Sequence, residues 1–142
     1  MCHPLELDGR LELDPQTLAP ADLLLTKLQV VKINAKDIID AQALLLGHQV
    51  ERGPGDVIDL GRLVQVTSRD WGWYTTFTDN LGRLMPDMET VLPADAAAQI
   101  GGRVATIQQA LASAPKSIQW RARAALGRRV AWYELPEEIG GG

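Results

Sequence analysis

Lys27, Asp37 and Asp40 form the one constellation in this sequence whose residue types and spacing could do chemistry. If residues 22–33 form a helix at about 100° per residue, Leu23, Leu24, Val30 and Val31 all project within about 60° of Lys27. The ammonium then sits in the middle of an apolar stripe. An unpaired buried charge is costly, so the position demands a carboxylate, a phosphate, or an escape of the charge to water. Two chemistries fit. In one, Lys27 binds a phosphate and an aspartate orients it, since an ammonium is a common phosphate partner. In the other, the cluster is structural: the lysine methylenes run along apolar surface to water. Asp37 then serves a helix start as cap and dipole partner, and Asp40 pairs with Lys36 four residues earlier.

Other groupings carry less. Arg121, Arg123, Arg128 and Arg129, near Trp120 and Trp132, have the composition of a nucleic-acid contact. Basic residues late in a helix are also favoured by its dipole and are commonly solvated. Cys2 and His3 adjoin, but His48 is the one other histidine, too few ligands for zinc. Gly53-Pro54-Gly55 lacks the spacing and the lysine of a phosphate loop. No Ser/His/Asp or Cys/His arrangement singles out a nucleophile. Trp71 and Trp73 are expected to fill core and rim.

The elements that must position Lys27 and the aspartates follow from patterning. Leu5, Leu7, Leu11 and Leu13 alternate with polar residues around Asp8-Gly9, as in two short strands. A loop over Asp8 to Arg10 keeps all four leucines on one face, and such a hairpin needs a larger sheet to be stable. Pro20 opens a first helix, with Asp22 in its first turn, running to about Ile33. Asn34 caps a second, Ala35 to Leu46, stopped by Gly47. Apolar residues cover almost its whole circumference, so it is expected to be buried. His48 to Gly55 is a polar, glycine-rich boundary loop. Asp56 is expected to cap a third helix, with Val57, Leu60, Leu63 and Val64 inward. Ser68 is expected to cap a fourth, with Trp71, Tyr74, Phe77, Leu81 and Leu84 at helical spacing, ended by Pro86. A connector over Asp87 to Pro93 precedes a long helix, Ala94 to Ser113, with Ile100, Val104, Ile107 and Leu111 as its seam. Gly101-Gly102 inside that helix implies close packing or a kink. Pro115 opens the last helix and Gly127 closes it. The fold class is therefore α+β, mostly α: a short N-terminal hairpin or sheet remnant followed by about six helices.

The 142 residues suit one domain with a small appendage, and 46% hydrophobic content provides an ordinary core. A net charge of −4 argues against wholesale nucleic-acid binding. The single cysteine excludes an intramolecular disulfide, and a reducing, cytoplasmic setting is the default. No apolar run approaches the roughly 20 residues that cross a bilayer, and Met1-Cys2-His3-Pro4 is not a signal sequence. The alanine, arginine and leucine bias suggests a GC-rich bacterial genome.

The stretch from Leu23 through Thr26-Lys27-Leu28 to Val31, followed by Asn34-Ala35-Lys36-Asp37-Ile38-Ile39-Asp40, resembles the C-terminal signature of nucleotidyltransferase-like proteins of the abortive-infection toxin type. Lys27 matches that family's lysine, Lys36 stands in for its arginine, and Asp37 and Asp40 match its two aspartates. Gly9 to Asp14, with Pro20-Ala21-Asp22, is similar to the last strand and entry loop of the same module. The resemblance covers roughly residues 1–46. It implies that residues 1–50 are the C-terminal part of a nucleotidyltransferase-like module, with residues 51–142 a helical domain packed on it. It also implies Lys27 and Lys36 as nucleotide-phosphate contacts, Lys27, Asp37 and Asp40 as the catalytic-type cluster, and Asp14 as a remnant metal carboxylate. Two departures stand out. The lysine-to-aspartate spacing is about two residues short of the toxins'. The Gly-Ser turn and paired acidic strands that hold the divalent metals of nucleotidyl transfer are missing. The implied protein is a truncated or catalytically incomplete nucleotidyltransferase-like chain. Mg2+ would be its cofactor only where a complete site is assembled. The alternative is a non-catalytic helical interaction module, a partner subunit or antitoxin-like protein, whose Leu5–Leu13 edge pairs with another protein or a second copy.

Overall fold

The computed structural model describes residues 19–86 and 88–130, without the side chain of Glu89. The expected strands around Leu5 to Leu13, and Asp14, lie outside the described residues. The fold is α+β and mostly α. Helix α1 (Pro20–Leu28) packs against α2 (Ala35–Gly47), α3 (Leu60–Thr67) and α4 (Trp71–Arg83). A short helix, α5 (Met88–Val91), leads into the long α6 (Ala94–Ser113), and α7 (Ile118–Leu126) lies on α4. Two short parallel strands, β1 (Val50–Glu51) and β2 (Ile58–Asp59), pair Val50 with Ile58 and Glu51 with Asp59; β1 lies in the expected loop and β2 where the third helix was expected to begin.

Helix α1 is almost wholly interior: Ala21, Asp22, Leu24, Leu25 and Leu28 are all inaccessible to solvent. It ends at Leu28 instead of continuing to about Ile33, because α4 answers its last carbonyls. Asn80 Nδ2 donates to the Leu28 oxygen at 2.8 Å and to the Val30 oxygen at 2.7 Å, while Arg83 donates to the Val31 oxygen at 3.2 Å. At the other end, Asp22 does more than suit the helix dipole. Arg62 Nε donates to its Oδ1 at 2.8 Å, with the two side chains 8% and 0% exposed. This ion pair ties α1 to α3 inside the core.

Helix α2 begins as expected: Asn34 Oδ1 accepts from the Asp37 amide at 2.8 Å. It is not buried all round. Ala41, Gln42 and Leu45 face inward, whereas Ile39 is 62% and Leu46 37% exposed. The caps of α3 and α4 fall on neighbours of the expected residues. Asp59, not Asp56, caps α3, its Oδ1 accepting from the Gly61 and Gly53 amides at 2.9 and 3.0 Å. Asp70, not Ser68, caps α4, accepting from the Gly72 and Trp73 amides. Helix α6 matches its expected bounds, and Ile100, Val104, Ile107 and Leu111 are all buried. A Cβ on Gly101 would lie 3.3 Å from the Met85 methyl, so this glycine permits a close approach. Ser117 caps α7 by accepting from the Trp120 amide, and Gly127 at φ +60° closes it. Trp73, Phe77, Leu81 and Leu84 of the α4 segment complete one continuous cluster reaching from Ala21 to Leu111.

Asn80→Ala strands the buried Leu28 carbonyl and the part-buried Val30 carbonyl at and just beyond the end of α1. Each lost buried hydrogen bond costs about 1 kcal/mol or more. Urea denaturation is therefore expected to show a loss of about 2 kcal/mol, against less than about 0.5 kcal/mol for an exposed control such as Gln108→Ala.

Candidate functional site

Helices α1 and α2 bring Lys27, Asp37, Asp40 and Lys36 together. Lys27 Nζ lies 2.8 Å from Asp40 Oδ2 and 3.7 Å from Asp37 Oδ1. Lys36 Nζ approaches the same Asp40 oxygen at 3.4 Å. The Asn34 cap sets the start of α2, and the three-residue spacing puts Asp37 and Asp40 on the face turned to α1. The Lys27 side chain is 30% exposed, so its methylenes cross apolar surface and its ammonium sits at the rim. Lys36 is 81% exposed.

The electrostatics are those of a closed ion-pair network. The hydrogen bond to Asp40 holds the Lys27 ammonium above the ordinary lysine value, against the opposing effect of burial; the Asp37 charge adds to the rise. Hydrogen bonding to Lys27, followed by the charges of Lys27 and Lys36, holds the Asp40 carboxyl below the ordinary aspartate value, again against burial. Two cations and two anions balance, so a phosphate entering here meets two carboxylates as well as two ammoniums. Chemically the cluster can pin α1 to α2 and can present Lys36, with one edge of Lys27, to an anion.

The remaining sequence candidates fall elsewhere. Each of the four arginines has an intramolecular partner. Arg121 donates to the Lys116 carbonyl and Arg129 to the Ala125 and Leu126 carbonyls. Arg128 donates to both Asp79 oxygens at 2.9 and 3.0 Å. Arg123 donates to the Gly127 and Val130 carbonyls and lies over the Trp71 ring at 4.8 Å. Among the described residues no group of three or more His, Cys, Asp or Glu side chains is placed to hold a metal ion, and Cys2, His3 and Asp14 lie outside them. No helix of the described residues is long and apolar enough to cross a membrane.

Three polar side chains with clear structural work were not singled out from the sequence. Arg62 meets Asp22. Arg103 of α6 donates to the Leu45 and Leu46 carbonyls at the end of α2, at 2.5 and 3.0 Å. Lys116 donates to the Leu111 and Ala114 carbonyls at 2.5 Å each, beneath Tyr74 and Trp120, whose ring centres lie 5.3 and 5.5 Å away. Burial pushes the Lys116 ammonium below the ordinary lysine value. An arginine between apolar neighbours, Gly61-Arg62-Leu63, was the one available signal for the first. No family model matches this chain, and no curated protein and no solved structure shows significant similarity to it.

The two shifts fix a pH dependence. The Asp40 carboxyl is lowered on folding, so its contribution is present above the unfolded aspartate value and is lost as pH falls through the lower folded value. The Lys27 ammonium is raised, so its contribution is present below the unfolded lysine value and is lost as pH rises through the higher folded value. The pair is therefore constant between about pH 5 and 9. A carbon-13 titration of the Asp40 carboxyl is expected to give a midpoint below that of an ordinary aspartate, moving up in Lys27→Met; an unchanged midpoint would show that the lysine does not hold it.

Proposed function

We propose that this chain is a non-catalytic helical interaction module that self-associates through the outer face of α2. One observation carries this reading: α2 leaves an apolar stripe exposed beside Lys36 on its outer side. Ala35, Ile39, Ala43 and Leu46 are all exposed and fall within an arc of roughly 80°. Solvent-facing Ile and Leu at i, i+7 spacing are the pattern of a helix seam awaiting a partner. The stripe is self-complementary. In an antiparallel pairing about a two-fold axis, Ile39 meets Ala43 of a second copy and Leu46 meets Ala35, large against small. Lys36 and Asp40 border one edge of the stripe, so that edge is polar. Light scattering behind size exclusion is expected to show a dimer that dissociates with dilution. Ile39→Asp and Leu46→Asp should each weaken it at least tenfold while helical circular dichroism stays unchanged. A monomer at all concentrations contradicts the reading.

A second reading is favoured by the resemblance around Lys27 to Asp40 and by the exposure of Lys36 at the start of α2, where the helix dipole favours anions. In it, the chain is a nucleotidyltransferase-like protein, catalytically incomplete, that binds nucleotide phosphate at Lys27 and Lys36. Titration calorimetry with ATP, GTP, CTP and UTP in magnesium tests it directly. Binding lost in Lys27→Met, with an unchanged or raised denaturation midpoint, supports it; no heat with any nucleotide removes it.

A further inference from the structure

His48, the residue following α2, holds both ring nitrogens against acceptors. Nδ1 lies 3.0 Å from the Leu44 carbonyl oxygen and Nε2 lies 3.2 Å from Asp56 Oδ1. The Leu44 carbonyl oxygen can only accept, so Nδ1 carries a proton there, and the contact with Asp56 is an ion pair only when Nε2 is protonated as well. We infer that His48 is a proton-dependent clasp joining the last turn of α2 to the loop 52–57, closed when the ring is protonated and released at Asp56 when it is not.

The asymmetry of the two contacts decides which end lets go. Leu44 belongs to the helix that carries His48, so that geometry is fixed by local structure. Asp56 is held by little else: its side chain is 90% exposed, against 23% for His48. A neutral ring keeps its single N–H on the Leu44 oxygen and turns a lone pair towards the carboxylate, which swings into water. Gly53 and Gly55 sit at φ +111° and +119°, where side chains are rarely accommodated, and the Gly53 amide is anchored on Asp59 Oδ1.

Charges of both signs surround the ring. Asp56 and the carbonyl end of α2 lie on the negative side. Arg103, reaching over from α6 to the neighbouring Leu45 and Leu46 carbonyls, is positive. Glu51 and Arg52, exposed on β1 and the loop, supply one charge of each sign, and Asp59 is engaged by the Gly53 and Gly61 amides. Because the pair with Asp56 needs the protonated ring, the bridge is present when His48 is protonated and is lost as the ring gives up its proton.

The test is an NMR titration of the full chain from pH 5 to 8, a range in which ordinary carboxylates stay ionised. The Asp56 side-chain carbon is expected to shift in one step that coincides with the His48 ring protons. The heteronuclear NOE of residues 52–57 is expected to fall across the same step. His48→Gln should abolish both changes. Asp56→Ala, at a position too exposed to affect folding, should leave the loop NOE flat. An Asp56 signal that stays flat while His48 titrates overturns the clasp, as does the same step persisting in His48→Gln.

Discussion

Helix α1 fixes the rest of the fold, because a buried polar group at each of its ends, the Asp22 carboxylate and the Leu28 carbonyl, is answered by a side chain from far along the sequence. Asp22 at its start is met by Arg62 of α3, and the carbonyls at its end are met by Asn80 and Arg83 of α4. A helix so completely surrounded by apolar contacts cannot satisfy its termini with water. It can be buried only where those two helices deliver donors at the right places. That requirement sets the positions of α3 and α4 relative to α1, and α6 closes the remaining side with Ile100, Val104, Ile107 and Leu111.

The Lys27 cluster belongs to a different regime. It lies at the rim, its charges balance, and water screens it, so its energetic weight is small compared with that of the buried pair. Its geometry is directional: a lysine on α1 and two aspartates on α2 meet at only one rotation of α2 about its own axis, the one at which Ala41 and Leu45 are buried. That rotation decides which apolar residues of α2 enter the core and which are left outside. With Ala41 and Leu45 turned inward, Ile39 and Leu46 have nowhere to go but the surface. The charged cluster and the outer apolar stripe are thus consequences of one orientation.

Much of this was legible in the residues. The Asn34 cap, the bounds and seam of α6, the closing role of Gly127 and the meeting of Lys27 with Asp40 all rest on local spacing, which a sequence displays directly. What was not legible is non-local or redundant. The early end of α1 depends on Asn80, 52 residues beyond Leu28. Asp22 looked like an ordinary first-turn acid because its partner lies 40 residues away. Asp56 and Asp59, like Ser68 and Asp70, offer alternative caps within a few residues, and packing of the following apolar face makes the choice. The apolar circumference of α2 implied burial, but a helix at the edge of a small core has one face left over. The four arginines had the composition of a nucleic-acid contact, yet each is taken up by carbonyls or by Asp79.

The most direct measurement of the central claim is a double-mutant cycle on Asp22 and Arg62, using Asp22→Asn, Arg62→Met and the pair, with unfolding free energies from urea denaturation. If α1 is held by this buried ion pair, each single change strands a buried partner and costs about 3 kcal/mol or more, and the double variant recovers much of that loss, giving a coupling well above 1 kcal/mol. Single losses that simply add, to within about 0.5 kcal/mol, would mean that the two side chains do not act on one another and that α1 is fixed by apolar packing alone.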